Sequence, residues 1–154
     1  MILADTSAWV EYDRATGSAV DQRLADLIAG TDDGLLAVTE PVIMEVLAGA
    51  RTDERENDLR QLLLRFELQP VDPVVDFEAA ARIYGWCRRV GLTPRGLIDC
   101  MIAAVAWRSG ATLLAHDIDL LRVADVVGIA MDASVTIHVS MLRPPALGAS
   151  RGRR

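Results

Sequence analysis

Short apolar runs alternate with longer amphipathic segments along the chain. The apolar runs predict strands at residues 1–4, 35–38, 68–71 and 111–115, and weaker strands at residues 129–131 and 135–139. The longer segments predict helices through Trp9 and Tyr12, and at residues 20–28, 40–48, 59–66, 72–90, 97–107 and 117–123. Strands that alternate with helices predict an α/β domain in which helices flank a mostly parallel central sheet, a three-layer α/β/α arrangement.

The segment at residues 97–107 is apolar on every side of the predicted helix. Its only charged residue is Asp99. A helix that is apolar all round is buried in the core, and an ionised carboxylate there is costly unless a partner or a metal ion compensates it. Two ordinary alternatives stay open for Asp99: a first-turn acid favoured by the helix dipole, or an ion pair with Arg95.

Two other acids follow predicted strands. Asp5 comes directly after the first strand, and Asp117 follows the strand at residues 111–115. Parallel strands end at the same edge of a sheet, where ligands collect, so we expect both acids at that edge. The alternative for Asp5 is a helix N-cap, and Asp119 is the better N-cap candidate of the later pair.

Composition and charge restrict the function. The 154 residues suit one domain, and no apolar run approaches the roughly 18 residues of a membrane span. The net charge is −6, so bulk charge does not hold a nucleic acid. All 16 basic residues are arginine, which excludes sites built on a lysine, such as a Walker A phosphate loop.

The cysteines and the chain ends carry less information. Cys87 and Cys100 are in no zinc-like spacing, so we interpret them as core thiols in a reducing compartment. No export signal precedes the first strand, and we expect a cytoplasmic protein. Prolines, glycines and arginines in residues 140–154 predict a flexible basic tail, which leaves residues 1–139 as the folded domain.

Four sequence blocks together resemble a known family. They are Asp5-Thr6-Ser7-Ala8-Trp9, the helix segment from Pro41 to Gly49 that contains Glu45, Leu97-Ile98-Asp99-Cys100, and His116-Asp117-Ile118-Asp119. In order and context they resemble the PIN-domain ribonucleases, specifically the VapC-type toxins of bacterial toxin–antitoxin pairs, from residue 1 to about 132. Taken alone, Glu45 fits a solvated helix face better than a functional site.

The resemblance implies a single PIN-like domain and a set of functional residues. Asp5, Glu45, Asp99 and Asp117 would gather in one acidic pocket and catalyse the cleavage of RNA. The resemblance also implies a homodimer and a small VapB-type antitoxin partner. Transfer RNA is the first expectation for the substrate, with ribosomal and messenger RNA open.

An acidic pocket of this kind calls for a hard divalent cation. Close carboxylates raise one another's pKa unless a cation is present, and Mg²⁺ prefers oxygen ligands; Mn²⁺ can take its place. We assign Asp5, Asp99 and Asp117 to the metal, directly or through water, and Glu45 to the metal or to the attacking water. Supporting roles are expected for Thr6, Ser7, Asp119 and Arg95, with helix capping as the alternative for both hydroxyls.

Two other functions compete with a nuclease. An acid-based phosphoryl-transfer protein, such as a receiver domain or a haloacid-type phosphatase, also places an Asp after a strand. The missing lysine argues against both, and Ser7 stands where the phosphatase pattern requires a second acid. A non-catalytic binding module with the same fold is the third possibility, and the presence of all four acids argues against it.

Overall fold

The computed structural model describes residues 1–30 and 35–135. Its elements, in chain order, are β1 (Ile2–Ala4), α1 (Thr6–Asp13), α2 (Ala19–Ala29), β2 (Leu36–Val38), α3 (Glu40–Ala48), α4 (Asp53–Leu63), β3 (Glu67–Leu68), α5 (Val75–Arg89), α6 (Leu97–Ser109), β4 (Thr112–Leu114) and α7 (Ile118–Val127). This alternation confirms the predicted three-layer α/β/α class.

The sheet has its topological switch next to the first strand. All four strands are parallel, in the order β3-β2-β1-β4. The chain builds outward from β1 through β2 to β3 and then returns to place β4 on the other side of β1. Ala4 is in register with Leu114, so the residues after β1 and β4 leave the sheet at the same level. In open parallel sheets such a point forms a crevice where ligands bind.

The core is aliphatic and α6 runs through it. Every residue of β1 and β2 is buried, and so is each residue of α6 from Cys100 to Ala106. This confirms the prediction from the apolar run, except that its two ends, Leu97 and Trp107, are exposed. Helix α6 packs against α5 and α7. Within the described ranges, no helix combines the length and the apolar character needed to cross a membrane.

Helix boundaries follow local hydrogen bonding. Gly30 ends α2 in the left-handed conformation at φ 68°, as predicted for a glycine stop. Helix α5 begins at Val75 rather than at Asp72. The carboxylate of Asp72 accepts hydrogen bonds from the backbone N–H groups of Val74 and Val75, at 2.9 and 2.8 Å, so this acid forms the turn that precedes the helix.

Two predicted strands are shorter in the structure. The third strand covers only Glu67–Leu68. Gln69 still donates to the carbonyl of Val38 at 2.7 Å, but Val71, the next residue whose N–H faces β2, donates to the side chain of Glu40 at 2.8 Å instead, so the ladder ends. The predicted strand at residues 129–131 is a single parallel bridge between Met131 and Leu113. Val135 lies in a turn; the rest of the weak strand at 135–139, and the predicted tail at 140–154, lie outside the described residues.

A buried ion pair ties α5 to α6. Asp76 is fully buried, and its carboxylate accepts two hydrogen bonds from Arg108, both at 2.8 Å, and one from the backbone N–H of Asp72 at 2.7 Å. Because a charge that loses its partner inside the protein is costly, this pair fixes the packing of the helix that carries Asp99.

We predict that Asp76→Ala lowers the free energy of unfolding by about 3 kcal/mol, because Arg108 loses its buried partner. Urea unfolding followed by circular dichroism measures the loss. Glu78→Ala is the matched control, because the pair of Glu78 with Arg82 is exposed and should contribute less than about 0.5 kcal/mol. Equal unfolding midpoints for the two variants would contradict the role of Asp76.

Candidate active site

Asp5 is the buried anchor of the site. It follows β1 directly, has 4% of its surface exposed and is the N-cap of α1. Its Oδ2 accepts the backbone N–H of Ser7 at 2.9 Å and the hydroxyl of Ser7 at 2.6 Å. Burial raises the pKa of Asp5 more than these hydrogen bonds lower it, and nearby Glu45 adds to the rise. Asp5 is therefore the N-cap that one sequence interpretation expected, and its carboxylate also lies within electrostatic reach of Glu45.

The hydroxyl of Ser7 joins the ends of β1 and β4. While it donates to Asp5, its oxygen accepts the backbone N–H groups of His116 and Asp117, at 2.8 and 3.1 Å. These two residues form the turn between β4 and α7. One side chain therefore holds the loop that carries Asp117 beside Asp5.

Asp117 is the N-cap of α7, a position that the sequence had suggested for Asp119. Its Oδ1 accepts the backbone N–H of Asp119 at 2.7 Å. The reason is spacing: a capping carboxylate reaches the amide two or three residues ahead, and the helix begins at Ile118. Asp119 therefore lies in the first turn of α7.

Glu45 enters the site from the second crossover connection. It lies on α3, and the hydroxyl of Thr6 donates to its Oε2 at 2.5 Å. Thr6 is the residue after Asp5, so the start of α1 contacts both the buried carboxylate of Asp5 and, through Glu45, helix α3. The predicted supporting roles of Thr6 and Ser7 therefore rest on specific bonds to Glu45 and Asp5.

The pKa of Asp99 reflects the negative charges that lie near it. It lies in the first turn of α6, and its pKa is raised to about 6. Burial is the largest cause, followed by repulsion from Asp5, Asp117 and Glu45. The four predicted acids thus lie within electrostatic reach of one another, although they are separated by up to 112 positions in the chain.

Arg95 supplies the opposing charge at the rim. Its guanidinium donates to Asp117 at 2.8 and 3.1 Å and pairs with Asp119, which also approaches Arg122 at 3.5 Å. The sequence had suggested a pair with Asp99 instead; the charge of Arg95 lowers the pKa of Asp99 without a direct bond between them. His116 lies on the rim, 43% exposed, 3.9 Å from Glu11.

The four predicted acids are chemically suited to bind a hard divalent cation. All four acids offer oxygen ligands, and their mutual repulsion is the kind that a bound cation relieves. In residues 1–30 and 35–135, no three acid, histidine or cysteine side chains form a ready-made metal-ligand group. Asp5 and Glu45 are instead bonded to Ser7 and Thr6, and Asp117 to Arg95. Metal ligation by these residues stays a prediction.

Sequence reasoning missed a cavity beside Glu45. It has a volume of about 420 Å³ and is lined by residues of α1, α3 and α4 and by residues next to them, including Trp9 of α1, Arg14 at the C-cap of α1 and Arg51 between α3 and α4. The available signal was helical spacing, since Trp9 is four residues after Asp5, on the same side of α1.

Comparisons with known proteins agree with this architecture. Residues 2–126 match the PIN domain family. Ribonuclease VapC11 of Mycobacterium tuberculosis is 42% identical over 129 residues, which cover 84% of this chain and 96% of that protein. Ribonuclease VapC32 of the same organism is 30% identical over 137 residues, 88% of this chain and 100% of the relative. Among solved structures, VapBC2 from Rickettsia felis, bound to a promoter DNA fragment, aligns with a TM-score of 0.67 at 18% identity, over 86% of this chain and 98% of that one.

The raised pKa of Asp99 predicts how stability depends on pH. The folded state holds the proton up to a pH of about 6, whereas an unfolded Asp releases it near 3.9, so the contribution of Asp99 to stability falls as pH rises through this window. A shift of about two pKa units corresponds to about 3 kcal/mol, which partial solvent exposure reduces. In chelator at pH 7.5, Asp99→Asn should therefore raise the free energy of unfolding by about 1 kcal/mol.

Thermal unfolding of wild type and of Asp99→Asn between pH 4 and 8 measures the effect. The difference in stability between the two proteins should become smaller as the pH falls. Asp58→Asn removes the same charge from an exposed position on α4. This control should have the same stability as wild type at each pH. A variant that is less stable than wild type at pH 7.5 would contradict the repulsion.

Proposed function

Because the chain belongs to the PIN-domain family and, within it, to the VapC ribonucleases, we propose that it is the endoribonuclease toxin of a toxin–antitoxin pair. The single observation that supports this most directly is the raised pKa of Asp99, which arises from burial and from the three other predicted acids. A protein retains such a cluster at a cost in stability, and catalysis on a phosphodiester accounts for it.

We assign the catalytic roles to the four acids. Asp5, Asp99 and Asp117 would hold Mg²⁺, for which Mn²⁺ can substitute, and Glu45 would hold the cation or orient the attacking water. When bound, such a cation neutralises charge on the scissile phosphate and lowers the pKa of water. Thr6 holds the carboxylate of Glu45, and Ser7 holds Asp117 beside Asp5, so both hydroxyls keep the acids in place before substrate arrives.

Arg95 is positioned to serve the substrate. Its side chain is 68% exposed at the rim, bonded to Asp117 and Asp119. A guanidinium in this position can bind a phosphate oxygen of RNA in the same forked geometry that it uses for carboxylates. Asp119 then keeps Arg95 at the mouth of the site.

We place the protein in the cytoplasm, with residues 1–139 as the nuclease domain and a cognate VapB-type antitoxin as its partner. RNA is the proposed substrate class, and transfer RNA the first member to test. The relatives named ribonuclease support the class, and the solved VapBC2 complex supports the type of partner.

We also propose a homodimer. A second cavity, of about 630 Å³, lies between α3, α5 and α6, and its lining is almost entirely apolar. Met44, Phe77 and Leu97 line it and are each more than half exposed. An exposed apolar patch of this kind marks a protein interface, and a second copy of the chain is the occupant that the family resemblance implies.

The nuclease assignment predicts that the purified, antitoxin-free chain cuts total cellular RNA at discrete sites in Mg²⁺ or Mn²⁺ and not in chelator. Asp5→Asn keeps an acceptor for the Ser7 cap and removes the charge, so it should lose at least about 100-fold in rate without unfolding. Sequencing of the new 5′ ends measures the cuts, and Asp58→Asn serves as the active control. Identical end profiles in every lane would favour the non-catalytic binding module.

The dimer assignment predicts that Phe77→Glu yields a monomer, because a charge placed in the apolar patch opposes its burial. Light scattering after size-exclusion chromatography measures the mass. Val90→Glu is the matched control, since Val90, the C-cap residue of the same helix, is 67% exposed and does not line this cavity. A wild-type monomer, or a Phe77→Glu dimer, would show that the patch is not the interface.

A further inference from the structure

The cavity between α1, α3 and α4, here called the α1–α3 trough, lies beside the acidic site. Its lining includes Glu45, which Thr6 holds through a 2.5 Å hydrogen bond. Along α1 the lining continues to Arg14, the C-cap residue of that helix. Eight positions separate Thr6 from Arg14, which is about 12 Å at the helical rise. A ligand in the trough would therefore lie next to the proposed catalytic acids and extend away from them along α1.

The trough gathers positive charge, although the whole chain has a net charge of −6. Its lining includes Arg14, Arg51 between α3 and α4, and Arg55 on α4. Arg14 and Arg51 are 37 positions apart in the sequence, so the fold brings them to one cavity and a local run of charge does not.

These guanidiniums do not neutralise the acids of the site. Glu45 is bonded to Thr6, and Arg14 and Arg51 are exposed and form no ion pair within residues 1–30 and 35–135. Arg55 pairs with Asp13, which also lines the trough. That pair is about half exposed, so it contributes little to stability. Two guanidiniums of the trough are therefore available to an anion.

A phosphate of the nucleic acid backbone is the anion that this position favours. Guanidiniums bind phosphate oxygens in a forked geometry, and contacts to phosphates fix the position of a strand. The trough adjoins a site proposed to act on a phosphodiester, and the four acids of that site repel the strand. Cations beside the acids offset this repulsion without removing the carboxylates from the chemistry.

We propose that the α1–α3 trough is a phosphate-binding subsite for single-stranded RNA, in which Arg14 and Arg51 bind a backbone phosphate next to the one that is cleaved. The contact positions the strand and reads no base, so both arginines are positioning residues. Asp13 limits the positive charge of the trough by holding Arg55. The inference rests on the proposed function and extends it, because it says where the uncleaved part of the strand binds.

Binding tests the trough independently of cleavage. The probe is a pool of fluorescein-labelled, random-sequence, single-stranded 12-nucleotide RNAs, measured by anisotropy in Mg²⁺ against the full chain in the Asp99→Asn background. Arg14→Gln and Arg51→Gln should each weaken affinity about fivefold. Each should also reduce the slope of log affinity against log salt by about 0.7, the value for one phosphate contact on a single strand.

A gain of binding is the sharper test, because misfolding does not imitate it. Asp13→Asn removes an acid from the lining of the trough and releases Arg55. This variant should bind the RNA pool about threefold more tightly, with a salt slope that is larger by about 0.7.

Matched controls separate the trough from net charge. Arg82→Gln makes the same change in charge as the arginine variants, but Arg82 is on α5 and lines a different cavity. Asp58→Asn makes the same change in charge as Asp13→Asn, at an exposed position on α4 that does not line the trough. Both controls should leave affinity and salt slope unchanged.

Cleavage gives the second readout. In the wild-type background, with an RNA oligonucleotide that wild type cuts, Arg14→Gln and Arg51→Gln should raise KM about fivefold and leave kcat unchanged, because a phosphate away from the reaction is held equally before and during the reaction. A single uncharged methylphosphonate linkage, moved along the oligonucleotide, should weaken binding to wild type at the contacted position. At that position Arg14→Gln should lose nothing further, since the two changes remove the same contact.

Unchanged affinity and salt slope in Arg14→Gln, Arg51→Gln and Asp13→Asn would overturn the proposal, and so would equal effects in the control variants. Trough variants that bind RNA like wild type but lose the complex with a co-expressed antitoxin would also overturn it, since the trough would then bind the protein partner. If wild type cleaves no RNA, the proposed function fails, and the salt slopes still decide whether the trough binds RNA phosphate.

Discussion

Repulsion among carboxylates at one edge of the sheet is the constraint on which the rest of the site depends. Parallel strands all end at this edge, and the chain reverses its direction of growth between β1 and β4, so the topology brings Asp5 and Asp117 to the same edge. Burial, followed by repulsion from Asp5, Asp117 and Glu45, raises the pKa of Asp99 to about 6, so the charged form of Asp99 is unfavourable among these acids. The hydroxyls of Thr6 and Ser7 and the guanidinium of Arg95 offset part of that cost.

Helix starts provide a second source of compensation. Asp5 and Asp117 cap α1 and α7, and Asp99 lies in the first turn of α6. Each carboxylate is therefore beside the positive end of a helix dipole. The same partial charges favour a phosphate, because backbone N–H groups at helix starts point toward the ligand. Capping and catalysis are thus compatible uses of one side chain, which is why the capping pattern in the sequence does not exclude a functional acid.

The sequence predicts the fold and the identity of the acids better than it predicts their partners. The strand ends at Asp5 and Asp117 and the buried helix around Asp99 are visible because they depend on hydrophobic period and on composition. The end of β3 depends on the N–H of Val71, which donates to the side chain of Glu40, and the bridge at Met131 depends on pairing across the sheet. Such outcomes are set by tertiary contacts, which a local pattern does not contain.

Arg95 illustrates the same limit within the site. It lies four positions before Asp99 in the sequence, which suggests a local pair, yet its long side chain bonds to Asp117 and Asp119. The fold brings the N-cap and the first turn of α7 closer to the guanidinium than Asp99, the acid that is nearer in the chain. Three connections meet at a topological switch. Distance along the sequence is therefore a poor guide there to which acid a long side chain pairs with.

Specificity has to come from outside the acidic pocket. The proposed target of the four acids is a phosphodiester, a group that every RNA shares, and hydrogen bonds to the backbone carry no sequence information. A chain with a net charge of −6 also cannot gather RNA by bulk charge, so local cations have to overcome the repulsion. Arg14, Arg51 and Arg55 line the cavity next to Glu45 and place positive charge beside the acids.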